Sequence, residues 1–233
     1  MTDVDMNGLK MDACVRGVPI FENLTEPEIE ALQGVIRPHR YAKGETIFRE
    51  GEQSESLYIL HRGVVKVSKC SSAGKAQVLR LLYPGDFFGQ FSLLQERTHY
   101  ADAEVLEPAS ICLIHKVDFN KLLANNPAMT YRFLQALSHR LQQADEWMST
   151  ISLLEVEERL ARTLLLFYQK EGTGQQIFKL PVAKKELAAL LGTTPETLSR
   201  KLASFEAQHI LSMENRNRIR ILDLDKLMKI AGL

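Results

Sequence analysis

The sequence predicts an α+β fold in three parts: a β-rich sandwich or barrel, one long amphipathic helix, and a terminal helix-turn-helix. Three observations carry this expectation. Short β-branched and aromatic runs punctuated by glycine fill residues 41–115, apolar residues then recur alternately three and four apart from 134 to 151, and a helix, a tight turn and a second helix follow from residue 181. The 233 residues, 45% hydrophobic and 25% charged, have the composition of a chain that buries a sizeable core, which excludes wholesale disorder.

A polar leader opens the chain. Thr25 then reads as a helix cap, with Glu26 and Glu28 in the first turn and Ile29, Leu32 and Ile36 as an apolar stripe ending near Pro38. The runs 46–48, 57–60, 64–67, 78–82 and 109–114 read as strands. Glycines at 44, 51, 63, 74 and 85 separate them, and glycine permits the positive-φ turns that close antiparallel strands, so roughly eight strands are expected. Leu134, Leu137, Leu141, Ala144, Met148 and Ile151 form a heptad seam on a helix from Pro127. A 3.5-residue period suits a parallel coiled-coil homodimer, and a helix packed on its own β-domain would show nearly the same stripe; both readings stand. Residues 155–168 are a further amphipathic helix, and 169–174 a polar loop.

Lys+Arg and Asp+Glu balance at 29 each, but the balance is uneven along the chain. From Val156 onward there are 13 basic and 9 acidic residues, an asymmetry that can hide a nucleic-acid-binding module inside a neutral protein. No run of about 18 apolar residues occurs and the leader lacks a signal-peptide pattern, so the expectation is a cytoplasmic protein with no membrane partner. Cys14, Cys70 and Cys112 are too few and scattered for a disulfide scaffold, and no CxxC spacing supports structural zinc. No HxH constellation or paired carboxylates support a metal-barrel enzyme, so no enzymatic activity, metal or cofactor is expected.

The C-terminal helix pair is physically particular. Ala188 is small where two helices cross, Gly192 can take the left-handed turn, Thr194 caps the second helix with Pro195 at its first position, and Leu198 anchors it from beneath. In such a unit the second helix enters the major groove. Arg200 can grip the guanine O6/N7 edge, Glu196 can accept from the cytosine amino group, and Ser199 fits beside either. Thr194, Thr197 and Lys201, with Lys184 and Lys185 on the preceding helix, suit phosphate contacts. The basic stretch 216–220, with Arg216 and Arg218, reads as the β-hairpin of a winged helix. The plain alternative is a helical hairpin with a solvated charged face.

The order of these parts, with Lys43-Gly44-Glu45, Leu57-Tyr58-Ile59 followed by Gly63, Pro84-Gly85-Asp86-Phe87 with Gly89, and Glu196-Thr197-Leu198-Ser199-Arg200, resembles the CRP/FNR family of bacterial transcription regulators over nearly the whole chain. The resemblance implies a leader over residues 1–24, a double-stranded β-roll sensor domain of the cyclic-nucleotide-binding, jelly-roll kind over 25–126, a dimerisation helix over 127–155 and a winged helix-turn-helix over 156–233. It implies double-stranded DNA as a partner, a homodimer, and RNA polymerase as a further partner. Glu196-x-x-Ser199-Arg200 is similar to the FNR type, for which the implied operator is a TTGAT-N4-ATCAA palindrome.

The effector is less legible. Cyclic-nucleotide members carry G-E-L and then R-S/T-A on the roll; here Gly89-Gln90-Phe91-Ser92 replaces the first and Tyr100-Ala101 stands where the phosphate-binding pair would be. Without that arginine a cyclic phosphate loses its main charge partner. Four leader-clustered cysteines for an iron-sulfur cluster are missing, and His39, His61, His99 and His115 are too scattered to argue for haem. Cys112 matches the roll cysteine of the FNR segment, and Cys14 lies close to a leader cysteine. The resemblance to the cluster-free, FNR-like proteins called FLP implies a Cys14–Cys112 redox pair. An unidentified small ligand in the roll, a regulator without effector, and a roll that serves an attached partner remain as alternatives.

Overall fold

The computed structural model describes residues 18–21, 24–53, 55–72, 76–95, 98–171 and 176–233. The chain divides into two compact units, one of residues 1–75 with 79–142, the other of 76–78 with 143–233.

Among the described residues of the first unit, a 3-10 turn at Pro19–Phe21 precedes helix α1 (Glu26–Val35). Thr25 caps it as expected, its backbone N–H donating to the Glu28 carboxylate at 2.7 Å. The helix stops before Ile36, where the chain becomes strand β1 (Ile36–Tyr41); Pro38, which lacks a ladder donor, sits on this edge strand. Then come β2 (Thr46–Phe48), β3 (Ser56–Cys70), β4 (Ala76–Leu82), β5 (Phe87–Phe88), the short helix α2 (Gln90–Gln95) and β6 (Asp102–His115). The sheet order is β1-β6-β3-β4, with β2 also on β6 and β5 on β3.

Two of the expected strands, 57–60 and 64–67, are one 15-residue strand. Gly63, read as a break, is instead a bend at φ +96° within it. The register against β6 shifts there, between Leu60 and Val65, so the long ribbon curls without ending. A Cβ on Gly63 would lie 2.6 Å from the carbonyl oxygen of Pro108, so glycine is required by both conformation and contact.

Side-chain alternation along this ribbon separates two cores. Leu57, Ile59, Cys112 and Ile114 face one way, onto Ile20, Phe21, Leu32, Phe119, Met129 and Phe133. Tyr58, Leu60, Ala109 and Ile111 face the other way, onto Phe48, Val65, Leu82, Phe88 and Val105 inside the roll. Helix α3 (Lys116–Asn125) follows β6, and the long helix α4 (Pro127–Leu153) follows α3.

The second unit holds α5 (Val156–Glu171), β7 (Ile177–Lys179), α6 (Lys184–Leu190), α7 (Pro195–Ala207), β8 (Leu211–Met213), β9 (Arg218–Ile221) and α8 (Leu224–Ile230). Its three strands form a sheet in the order β7-β9-β8. Helix α6 starts three residues later than its apolar pattern suggests: Val182 is buried in the bend before it, and Ala183, in extended conformation, is the cap. Leu160, Leu164, Phe167, Phe178, Leu187, Leu198, Phe205 and Leu227 fill the core. Among the described residues no helix is long and apolar enough to cross a membrane.

Candidate nucleic-acid interface

The local sequence builds α7 as a helix with one buried and one open face. Thr194, in extended conformation, caps it: its Oγ1 accepts the Thr197 N–H at 3.2 Å. Leu198, Leu202 and Phe205 recur at helical spacing and are buried, which pins the helix from beneath. Glu196, Ser199 and Arg200 lie on the open face, exposed. Arg200 Nη2 donates to Thr197 Oγ1 at 3.2 Å, which steadies the guanidinium beside the helix start. The Glu196 carboxyl is held below its ordinary pKa range by its own backbone N–H first, then by the Thr194 hydroxyl and the Arg200 charge, so it is an acceptor at neutral pH.

The turn before α7 takes the expected form, with Gly192 at φ +64°. Behind it Arg159 of α5 donates from Nη1 to the carbonyl of Ile151 at 3.1 Å, tying the end of α4 to the base of the helix pair. Of the phosphate-contact candidates, Thr194 and Lys185 are exposed and Lys184 is half-buried. Thr197 is half-buried with its hydroxyl occupied by Arg200. Lys201 departs from expectation, since its ammonium is bound to the Glu157 carboxylate at 2.5 Å. Arg216 and Arg218 are exposed on the hairpin of β8 and β9, where Met213 faces Ile219. The third hairpin arginine, Arg220, pairs with Glu214 at 2.7 Å.

Comparison with known proteins bears on this geometry directly. Residues 38–126 match the cyclic nucleotide-binding domain and residues 158–230 the Crp-like helix-turn-helix domain. The cAMP-activated global transcriptional regulator CRP of Pasteurella multocida is 30% identical over 194 residues, 82% of this chain and 93% of that protein. This chain belongs to the CRP/FNR family. The "Probable transcriptional regulator flp" of Lacticaseibacillus casei is 27% identical over 219 residues, covering 94% of this chain and 98% of that protein. The structure of FixK2 from Bradyrhizobium japonicum superposes with a TM-score of 0.77 at 26% identity, covering 84% of this chain and 97% of FixK2. The protein is therefore a DNA-binding transcription regulator of the CRP/FNR family, not an enzyme.

In this CRP/FNR regulator the roll segment singled out as a ligand pocket is divided in exposure. Gly89, Gln90 and Ala101 are buried, whereas Phe91 and Tyr100 are exposed and meet edge to face at 4.9 Å. Ser92 lies on α2. Gly89 has φ +84° and backs onto the Tyr58 ring, where a Cβ would approach to 2.7 Å. Among the described residues no group of three or more His, Cys, Asp or Glu side chains could hold a metal ion.

Cys112 is fully buried on β6 and is disulfide-bonded. Cys70 is an exposed free thiol. Cys14 lies outside the described residues.

The heptad stripe of α4 splits between the two readings left open. Leu134, Leu141 and Met148, seven apart, are 58%, 65% and 62% exposed, and Ala144 is exposed with them. Leu137 instead packs against the intrachain core, and Ile151 is half-buried near Gly192. Sequence reasoning missed Arg140, which lies seven residues beyond the buried Phe133 on the same helix face. Its guanidinium carbon sits 4.0 Å from the centroid of Phe87, with Nη2 3.7 Å from Asp86. The seven-residue spacing was the available signal.

Proposed function

We propose that the protein acts as a homodimer on the FNR-type palindrome TTGAT-N4-ATCAA, with Arg200 and Glu196 reading the G·C pair of each half-site. The observation that carries this reading is the open face of α7, where the exposed hydroxyl of Ser199 and guanidinium of Arg200 follow one turn after the exposed carboxylate of Glu196, above the buried Leu198 anchor. Arginine is matched to guanine and a carboxylate to the cytosine amino group of the same pair. Thr194, Lys185, Arg216 and Arg218 supply phosphate contacts in this reading. Support for the homodimer comes from the exposed Leu134, Leu141 and Met148 stripe, for which a second copy of α4 offers the same period.

DNA affinity in this reading is set by a Cys14–Cys112 redox pair. What supports a redox role for Cys112 is that it is disulfide-bonded, whereas Cys70 is an exposed free thiol. The flp relative fits a regulator of this kind by its name alone. A second reading, control by a small ligand in the roll, is favoured by the buried arginine beside Phe87.

The test is affinity for the palindrome and for a scrambled duplex at fixed salt, with the protein reduced and then mildly oxidised. Preference for the palindrome that changes with redox state, and loses that change in Cys14→Ser, supports both parts. Equal affinity for the two duplexes overturns the operator. Arg200→Ala is expected to lose about 1–3 kcal/mol on the palindrome and to relax preference at the G·C pair.

A further inference from the structure

We infer that Arg216, at the tip of the β8–β9 hairpin, enters the minor groove beside each half-site and there favours A·T over G·C base pairs. This inference rests on the DNA reading proposed above, with α7 in the major groove, and adds a second place at which sequence is read.

The hairpin is fixed to α7. The Met213 N–H donates to the carboxylate of Glu206, in the last turn of that helix, at 2.9 Å. Its own turn is held from within: Asn215 Oδ1 accepts the N–H groups of both Asn217 and Arg218 at 3.0 Å, and the Glu214 N–H donates to the Arg218 carbonyl at 3.0 Å. From the side of β7 the Leu180 N–H donates to the Asn217 carbonyl at 2.7 Å. Arg216 takes no part in these bonds, and its side chain is exposed. A narrow, pre-shaped finger thus carries one guanidinium at its end.

Charge along the finger is graded. Arg220, farthest from the tip, is committed to Glu214 at 2.7 Å. Arg218 is exposed and stands opposite Lys179 across β9 and β7, so two cations share one face of the sheet, as a row of phosphates requires. Arg216 lies ahead of them, and an element that crosses one phosphate row from a helix in the major groove arrives at the adjoining minor groove.

The chemistry of the tip suits that groove better than a further phosphate. The minor groove is about 6 Å wide, which admits a single side chain and little more. All the cations of residues 211–221 are arginines, whose guanidinium gives up water more readily than an ammonium does. A·T runs narrow the groove and deepen its negative potential, whereas guanine places its N2 amino group on the floor. Arg216 there still lies between two phosphate rows, so it contributes to the salt dependence of binding as a phosphate contact would.

The experiment measures affinity of the full-length protein for duplexes that share the palindrome. In one set the base pairs just beyond its ends are all A·T, all G·C or all inosine·cytosine; in a second set the N4 spacer is varied in the same way. Inosine lacks the guanine amino group, so its pair with cytosine matches A·T in the minor groove and G·C in the major groove. In one of the two sets the A·T and inosine·cytosine duplexes are expected to bind about fivefold tighter than G·C, the low end of what one base position contributes. Arg216→Ala should weaken binding throughout and abolish that difference. Arg216→Lys should keep the salt dependence and lose most of the difference, a split that a phosphate contact would not show. Both variants alter an exposed turn side chain and no core contact. Equal affinity for all duplexes of both sets, or a difference that survives Arg216→Ala, overturns the inference, and so does inosine·cytosine behaving as G·C. A scrambled duplex runs alongside: no preference for the palindrome strikes the operator and this inference with it, whereas that preference without an effect of the varied base pairs strikes the role of Arg216 alone.

Discussion

Gly63 and Pro108 lie back to back across the β3–β6 ribbon, so close that a Cβ on Gly63 would sit 2.6 Å from the Pro108 carbonyl oxygen and 2.8 Å from the Cα of Ala109. Both obstacles are backbone and cannot swing aside. Gly63→Ala therefore combines a positive-φ penalty with a steric one and is expected to cost more than about 1–3 kcal/mol, read as a lowered urea midpoint. Gly44, at φ +86° with open space around it, should cost less for the same change.

His99 is 5% exposed and stacks on Phe48 with ring centroids 3.5 Å apart. Burial, opposed in part by Glu52, depresses its pKa to about 4, against about 6.5 when unfolded. Between those values the unfolded chain holds a proton that the folded one refuses. Stability from neutral His99 is thus full above about pH 6.5 and is lost as the pH falls through that window toward 4. The loss should reach on the order of 2–3 kcal/mol. Urea midpoints at pH 7 and pH 4.5 should differ less for His99→Phe than for the parent protein.

The salt dependence of DNA binding should sort the basic residues. Lys201 is already paired with Glu157, whereas Lys185 and Arg216 are exposed. Lys185→Ala and Arg216→Ala are each expected to lower the slope of log K against log salt by about 1, and Lys201→Ala by much less. An equal drop for all three would mean that Lys201 leaves Glu157 when DNA arrives.

Leu141 is 65% exposed at the middle of the α4 stripe. Leu141→Glu removes apolar area from the proposed seam without touching the intrachain core, so it should yield a folded monomer by sedimentation equilibrium, with much weaker palindrome binding. A dimer of unchanged stability would show that another surface joins the copies.

Thr194→Ala should cost about 1 kcal/mol, since the Thr197 N–H loses its acceptor at the mouth of α7. Thermal unfolding checks the stability term, and DNA affinity measured well below the transition checks whether the helix start is still held.

Much of this was legible in the chain because it rests on local rules. Thr194, Pro195 and Gly192 specify cap, first turn and left-handed bend with little help from elsewhere, and α7 begins where they say. The joining of residues 57–60 and 64–67 into one strand was not legible, because glycine breaks a strand or bends it according to what faces it, and Pro108 is 45 residues away. The fate of Lys201 was hidden for the same reason: Glu157 lies 44 positions earlier. Arg140 stands between these cases. Its helix position was readable, but the aromatic ring that receives it lies 53 residues back, and a charged residue on a core-facing stripe is easily taken for one at its edge.

The β6 strand also acts as a partition. Ile111 and Cys112 are neighbours in sequence, yet one faces the inside of the roll and the other the layer of helices outside it. A change at that sulfur would therefore be felt first by the helical side chains that cover it, Phe119 and Phe133 among them, before those inside the roll.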